Sequence, residues 1–383
     1  MARYCVVGAG LSGAVVARAL GEAGHSVTVV DERPRIGGNC ATARDPETGI
    51  MEHLYGPHIF HTSDEAVWAY VQRFCTMTAY AHRVQAVSRG RVYALPVNLL
   101  TINQFFGRTM NPAEARAFIR SKTTPCDAPR NFEEQALAMI GRELYEAFFK
   151  GYTQKQWGLA PTELPASILK RLPLRFNYDD SYFAHRHQGM PKEGYTAMIA
   201  SILDAPNVDL RLGESFEALP DDFEHVFYSG PIDRYFDYRL GRLNYRTLDF
   251  EKFYAEGDFQ GTAVLNYCDA DTPFTRITEH KHFAPWEREG FDRTVCYREF
   301  SRACGERDIP YYPIRLAHEQ KMLGEYIALA RATPGVSFMG RLGTYRYLDM
   351  DVTLGEALAA CERILPMIAQ GAALPSFFID PEG

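Results

Sequence analysis

Gly8, Gly10 and Gly13 fall in the spacing G-x-G-x-x-G, directly after the β-favouring run Arg-Tyr-Cys-Val-Val at 3–7 and at the start of an alanine-rich helical stretch reaching about Ala23. Gly24 stops that stretch, residues 26–30 read as a second buried strand, and Asp31 closes it 23 positions after Gly8. Each residue type has a physical task. The first glycine permits a tight turn, the second lets backbone approach a pyrophosphate, and the third lets the helix pack close to the strand. The helix N-terminus stabilises phosphate charge, and an acid ending the second strand accepts hydrogen bonds from a ribose. In this strand-helix-strand setting the pattern reads as a dinucleotide-binding unit; the competing reading is a glycine-rich turn without a ligand.

No second G-x-G-x-x-G occurs, so hydride delivery from a second dinucleotide is not expected to be the main chemistry. The eight cysteines form no C-x-x-C pair and no zinc-ligand spacing, which points to reduced thiols and no metal. No Ser/His/Asp triad or paired-carboxylate site stands out. Net charge is −7, from 41 Lys and Arg against 48 Asp and Glu, which argues against nucleic acid as a partner. An anion can still bind where a few cations gather. Aromatic residues make up 13% of the chain, and ten of them fall within 145–195, where they could stack on a base.

The elements that must position these groups can be sketched from pattern. At about 100–200 residues per domain, 383 residues predict two or three domains. Residues 64–75 and 99–150 read as mostly helical, with Asn111 capping a helix that has Pro112 at its first position. Glycine and proline recur from 155 to 195, the mark of a loop-rich segment and a candidate lid. Short strands are expected at 208–212 and 225–229, antiparallel strands at 262–268 and 293–299, a helix at 316–332, a last strand at 336–339 and a closing helix at 352–370. With no run of 18 apolar residues and an N-terminus that runs straight into a strand, the expectation is a cytoplasmic protein without a membrane span.

Beyond Asp31, the stretch Glu32-Arg33-Pro34-Arg35-Ile36-Gly37-Gly38-Asn39 resembles the extended signature of the amine-oxidase-like superfamily, which binds FAD. More specific strings follow: YGPHIFHT (55–62), FFKGYTQKQWG (148–158), ILKRLPLRFNYDDSYF (168–183), QGMPKEGYT (188–196), PFTRITEHKHF (273–283), DIPYYPIR (308–315) and GRLGTYRYLDMDVT (340–353). Together they resemble the bacterial UDP-galactopyranose mutases from the first strand to the last helix.

That resemblance implies an α/β fold: a Rossmann-like FAD-binding domain with an inserted helical-bundle domain and an antiparallel β-sheet domain. The expected boundaries are 1–80, 190–240 and 315–383 for the FAD domain and 95–170 for the helical domain, with a mobile loop at 160–185. The sheet domain takes 80–95, 175–190 and 240–315. The implied reaction interconverts UDP-galactopyranose and UDP-galactofuranose without net redox change, through a covalent adduct between N5 of reduced FAD and the anomeric carbon. A homodimer and an external reductant such as NAD(P)H complete the expectation.

Residue by residue, the resemblance places Arg171 and Arg276 on the diphosphate as catalytic groups, a task suited to guanidinium. Substrate contacts fall to Tyr182 as the stacking partner, to Phe148, Phe149, Tyr152, Thr153 and Trp157 on one helical stretch, and to Asn266, Tyr312, Tyr347 and His82, with Tyr345 a weaker neighbour. Positions 149, 152, 153 and 156 share one helical face, although such a stripe can equally be core. Cofactor contacts fall to Gly8, Gly10, Ser12, Gly13, Asp31, Glu32, Arg33, Gly37, Gly38, Asn39, His58, Ile59, Arg341, Leu348, Asp349, Met350 and Asp351, with His61 nearby. Two other readings compete: an amine-oxidase-like flavin oxidoreductase, disfavoured by the arginine pair, and a non-catalytic module like the GDP-dissociation inhibitors, disfavoured by the complete glycine fingerprint.

Overall fold

The computed structural model describes residues 2–171, 174–219 and 222–382, with the side chains of Lys170, Arg171 and Ala317 outside that description. The β-branched runs at the N-terminus become the middle of a five-stranded parallel sheet. Its spatial order is Val208–Leu212, Ser26–Asp31, Arg3–Val7, His225–Tyr228 and Val336–Phe338. In chain order these are the third, second, first, fourth and fifth strands, so the direction of winding reverses beside Arg3–Val7. Open α/β sheets bind ligands at the C-terminal ends of strands flanking such a reversal.

Helix Leu11–Glu22 packs against helices Gly194–Leu203 and Met350–Ala369. Val15, Val16, Leu20, Val27, Val29, Ile199, Ile202 and Leu354 are buried in the core that results. Gly13 sets the helix-to-strand distance. A Cβ there would lie 2.0 Å from the Gly8 carbonyl oxygen, so nothing larger than glycine lets the two backbones touch.

A seven-stranded sheet has the order Tyr312–Pro313, Tyr245–Glu256, Arg293–Ala303, Arg276–Glu279, Val264–Tyr267, Val84–Ser88 and Arg91–Leu95. It is antiparallel except where Val264–Tyr267 runs parallel to Val84–Ser88. Its longest strand, Tyr245–Glu256, is missing from the sequence reading. Charge explains the omission: Glu251 faces Arg298 across the ladder at 2.7 Å and Asp249 reaches diagonally to Arg302 at 2.6 Å, so ion pairs replace the apolar alternation that marks a strand.

The helical unit comprises Leu99–Phe106, Pro112–Lys122, Phe132–Met139, Gly141–Leu144 and Gly151–Trp157. Asn111 caps Pro112–Lys122 in a capping box with Glu114, as Asn-Pro predicts. The stretch Tyr145–Lys150 is a π-helical segment, which changes the phase of the expected one-face stripe.

Segment 175–190 differs from its expected place. Its strand, His187–Pro191, joins Phe60–Thr62 and Met77–Ala79 in a separate three-stranded sheet and adds nothing to the seven-stranded one. Backbone pairing of His61 with Gln188 decides this, a register no local pattern records. Within the expected loop 160–185, Ala166–Arg171 forms a 3-10 turn against helix Phe132–Met139, and Leu172 and Pro173 lie outside the described residues.

Candidate active site

Helix Leu11–Glu22 begins at Gly10 with no side-chain cap and no acid in its first turn, leaving its free N–H groups to attract an anion. Gly8 makes the turn before it at φ +108°. A Cβ on Gly10 would come within 3.7 Å of the Gly38 Cα, and one on Gly38 within 3.3 Å of the Gly10 Cα, so the two glycine loops close on each other over the helix end. Asp31 is tied to both: one carboxylate oxygen accepts from the Ala9 N–H and the other from the Arg33 N–H, each at 2.9 Å. This preorganised cradle has the bare backbone donors, the acid and the close approach that a dinucleotide needs.

A cavity of about 1010 Å³ opens from the cradle. Its lining includes Gly8, Gly10, Ser12, Asp31, Glu32, Arg33, Gly37, Gly38, Asn39, His58, Ile59, Arg341, Leu348, Asp349 and Met350. The same cavity is lined by Tyr152, Tyr182, Asn266, Arg276, Tyr312, Tyr347 and His82. Residues from the parallel sheet, the seven-stranded sheet and the helical unit thus line one cavity. Gly13 sits behind the cradle rather than on it, and Asp351 stands one position beyond the lining residue Met350 in the first turn of helix Met350–Ala369.

Several neighbours fix these side chains. Glu32 takes a bidentate ion pair from Arg234 at 2.6 and 2.9 Å, which holds its carboxyl below the usual range. Arg33 donates to Asn39 Oδ1 at 3.1 Å, and Asn39 donates in turn to the Pro310 carbonyl at 3.2 Å. Arg341 donates through Nη2 to the Tyr311 carbonyl, while its buried Nε has no partner among the described residues. The Asn266 side-chain oxygen is likewise buried without one, on the wall of the cavity. Such groups cost free energy unless something docks against them.

Arg276 is anchored by Glu299, a residue sequence reasoning did not single out. Nε and Nη2 of Arg276 reach Glu299 Oε2 at 2.8 and 2.7 Å. Burial opposes the charge on Arg276, but Glu299 together with Tyr152 and Tyr312 outweighs it and raises the pKa. Nothing local marks Glu299; only the strand register brings it opposite Arg276.

Histidines on the wall are kept neutral. Burial lowers His58 to about 4, with Arg341 and Arg276 adding to the effect and a bond to Gly56 opposing it. Burial lowers His82 to about 3, assisted by Arg276. His61 also lines the cavity, stacked on Phe183 at 3.7 Å and on His185 at 4.7 Å. His61, His185 and Asp351 bring ligand atoms within 4.8 Å of one another. The two imidazole planes lie only 17° from parallel, however, so their lone pairs cannot converge on one ion at the bond length of about 2.0–2.1 Å that zinc takes.

The aromatic stripe divides. Tyr152 reaches the cavity, whereas Phe148 is 3% exposed in the core of the helical unit, edge-on to Tyr93 at 5.1 Å. Phe149 and Trp157 pack half-buried against that core, with the Trp157 ring 6.4 Å from Tyr312, and Thr153 is buried. None of these four lines the cavity. The π-helical segment Tyr145–Lys150, in which Phe148 is buried, interrupts the 3.6-residue period ahead of Tyr152. Tyr345 is fully buried, and its one hydroxyl proton is shared between the Asn244 and Ile314 carbonyls, a structural post below the cavity wall. The side chain of Arg171 lies outside the described residues.

Comparison with known proteins fits this geometry. The family model for UDP-galactopyranose mutase matches residues 147–347, and that for an NAD(P)-binding Rossmann-like domain matches residues 6–74. The chain is 57% identical over 378 residues to a probable UDP-galactopyranose mutase of Klebsiella pneumoniae, covering 98% of this chain and 97% of that one. It is 48% identical to the dTDP-fucopyranose mutase of Escherichia coli, covering 94% and 98%. The crystal structure of a reduced UDP-galactopyranose mutase matches its fold with a TM-score of 0.74 over 99% of both chains, at 14% identity. By the extent of the match and the identity along nearly its whole length, this chain belongs to the UDP-galactopyranose mutase family.

Proposed function

We propose that the protein interconverts UDP-galactopyranose and UDP-galactofuranose, with FAD as a cofactor that must be reduced and with no net redox change. The observation that carries this reading is that one cavity holds both the dinucleotide cradle and the Glu299-anchored Arg276. The near full-length identity to a probable enzyme of this activity supports it. Bound and reduced, the flavin supplies a nucleophilic nitrogen, N5, for the anomeric carbon of the sugar. All other tasks fall to the chain.

The bond from sugar to diphosphate breaks with charge building on the phosphate oxygens, so cations placed there favour the transition state over the ground state. Arg276 takes this role, joined by Arg171, with the phenols of Tyr312 and Tyr347 as hydrogen-bond donors. Tyr182 stacks on the uracil, and the unpartnered Asn266 oxygen accepts from the nucleoside. His82, kept neutral by burial, faces the sugar without adding charge. The flavin end belongs to the glycine cradle, Asp31, Arg33, Asn39, His58, Ile59 and Arg341. The helix beginning at Met350 presents its N-terminus toward the same cavity and favours an anionic reduced ring, an effect that Asp351 in its first turn partly offsets.

No helix is long and apolar enough to cross a membrane among the described residues. A cytoplasmic homodimer served by an external reductant such as NAD(P)H is part of the same proposal. To test the activity, the purified protein is reduced with dithionite, given UDP-galactofuranose and assayed by chromatography for UDP-galactopyranose. Conversion only in the reduced state is expected, and equal conversion by oxidised protein would overturn the reading. A parallel reaction with dTDP-fucopyranose tests the substrate of the second relative.

A further inference from the structure

The loop that carries His58 to the cavity wall is held from behind by two imidazoles. Strand Met51–His53 leads through Gly56, at φ +89°, to His58. The His58 backbone N–H donates to Nδ1 of His53 at 3.3 Å, and the His53 backbone N–H donates to Nδ1 of His280 at 3.2 Å. A ring nitrogen that accepts a hydrogen bond carries no proton, so both imidazoles are neutral with the proton on Nε2. Their surroundings keep them so: His53 and His280 are 2% and 1% exposed, their rings stack at 6.0 Å, and Phe283 packs on His53 at 4.9 Å. Burial drives His53 well below its ordinary pKa and His280 to about 3.

The opposite tautomer results at His58. Its Nδ1 lies 2.8 Å from the Gly56 carbonyl oxygen, which can only accept, so Nδ1 carries the proton and Nε2 is left as an acceptor. His58 lines the cavity, whereas His53 and His280 do not.

We propose that His53 is a positioning residue: its Nδ1 fixes the His58 peptide, and so holds the His58 ring as a neutral Nε2 acceptor at the cofactor end of the cavity. This rests on the reading of the cofactor as a flavin. Two-electron reduction of a flavin adds an N–H donor that the oxidised ring lacks. A fixed acceptor favours the form bearing the donor, whereas a loosened loop gives up that preference.

The test compares His53→Asn, whose side-chain oxygen can stand where Nδ1 stands, with His53→Leu, which keeps apolar bulk and removes the acceptor. The midpoint potential of bound flavin is measured on each holoprotein without any nucleotide sugar, so the result does not depend on the mutase activity. His53→Leu is expected to disfavour reduction about tenfold, a shift of about 30 mV to lower potential, or to lose its flavin, while His53→Asn stays at the wild-type value. Equal potentials in all three proteins would overturn the proposal. So would an equal shift or flavin loss in both variants, because ring packing rather than the acceptor would then matter. A wild-type chain that takes up no flavin overturns the cofactor reading and this role with it.

Discussion

Arg276 and Glu299 sit directly opposite each other on neighbouring antiparallel strands, and their ion pair fixes the guanidinium on the cavity wall through Nε and Nη2. Nη1 is left without a hydrogen-bond partner among the described residues. Glu299, 1% exposed in its side chain, cannot move to follow a displaced arginine. In the proposed reaction this arrangement preorganises a charge for the leaving diphosphate instead of assembling it during the reaction.

Arg276→Ala is therefore expected to lower kcat by about 10²–10³, the range typical for one lost electrostatic stabiliser, while the flavin stays bound. It also strands a buried carboxylate, at a cost of about 3–5 kcal/mol in stability. Steady-state turnover under dithionite, flavin absorbance and urea unfolding check the three parts. Normal turnover would remove Arg276 from the chemistry.

Gly13→Ala tests the cradle. The added methyl would stand 2.0 Å from the Gly8 carbonyl oxygen, a backbone atom with no rotamer by which to withdraw. Helix Leu11–Glu22 must then lift from its strand, costing about 1–3 kcal/mol and displacing the N–H groups at the helix end, where the proposed cofactor's pyrophosphate would bind. The variant should purify with little flavin and unfold at lower urea. A fully yellow variant of normal stability would contradict this account.

The parts of the site that were legible in sequence are those written locally. The glycine spacing and the Asn111 cap act on neighbours a few residues away, and Asp31 meets Ala9 within one strand-helix-strand unit. Glu299 was invisible because its partner is set by strand register, and Tyr245–Glu256 because charge pairs replaced its apolar alternation. Phe149 was placed on one face with Tyr152 and Thr153 by a 3.6-residue period that the π-helical segment Tyr145–Lys150 does not keep. The His53–His58 link spans only five residues, yet no propensity records that an imidazole caps a backbone amide.

Phe148 and Tyr182 should separate core from site. Phe148→Ala opens a hole beside Tyr93 and Phe105 and is expected to cost about 3–5 kcal/mol of stability, with KM for the nucleotide sugar unchanged. Tyr182→Ala should do the reverse, raising KM through the lost stacking face with a smaller stability loss. Urea midpoints and saturation curves on both variants decide, and a raised KM in Phe148→Ala would return that residue to the site.

Acid should destabilise the protein through its buried histidines. His225 lies in the parallel sheet with Nε2 at 2.8 Å from Ser337 Oγ, and that hydroxyl donates to the Pro375 carbonyl. The hydroxyl proton is thus committed, so His225 donates from Nε2; burial lowers it to about 4, which keeps it neutral at pH 7. Unfolded histidine titrates near 6.5. Between about pH 6.5 and 4 the unfolded chain takes up a proton that the native chain refuses, so stability is complete above that window and falls as pH drops through it. For this one residue the loss is on the order of 3 kcal/mol by pH 4. His58, lowered to about 4, and His82 and His280, lowered to about 3, add to the slope in the same direction. His225→Gln keeps a nitrogen donor for Ser337 and removes the titration, so its urea midpoint should fall less steeply than wild type from pH 7 to 4. Parallel curves would mean that His225 already carries its second proton in the fold, with Nε2 still donating to Ser337.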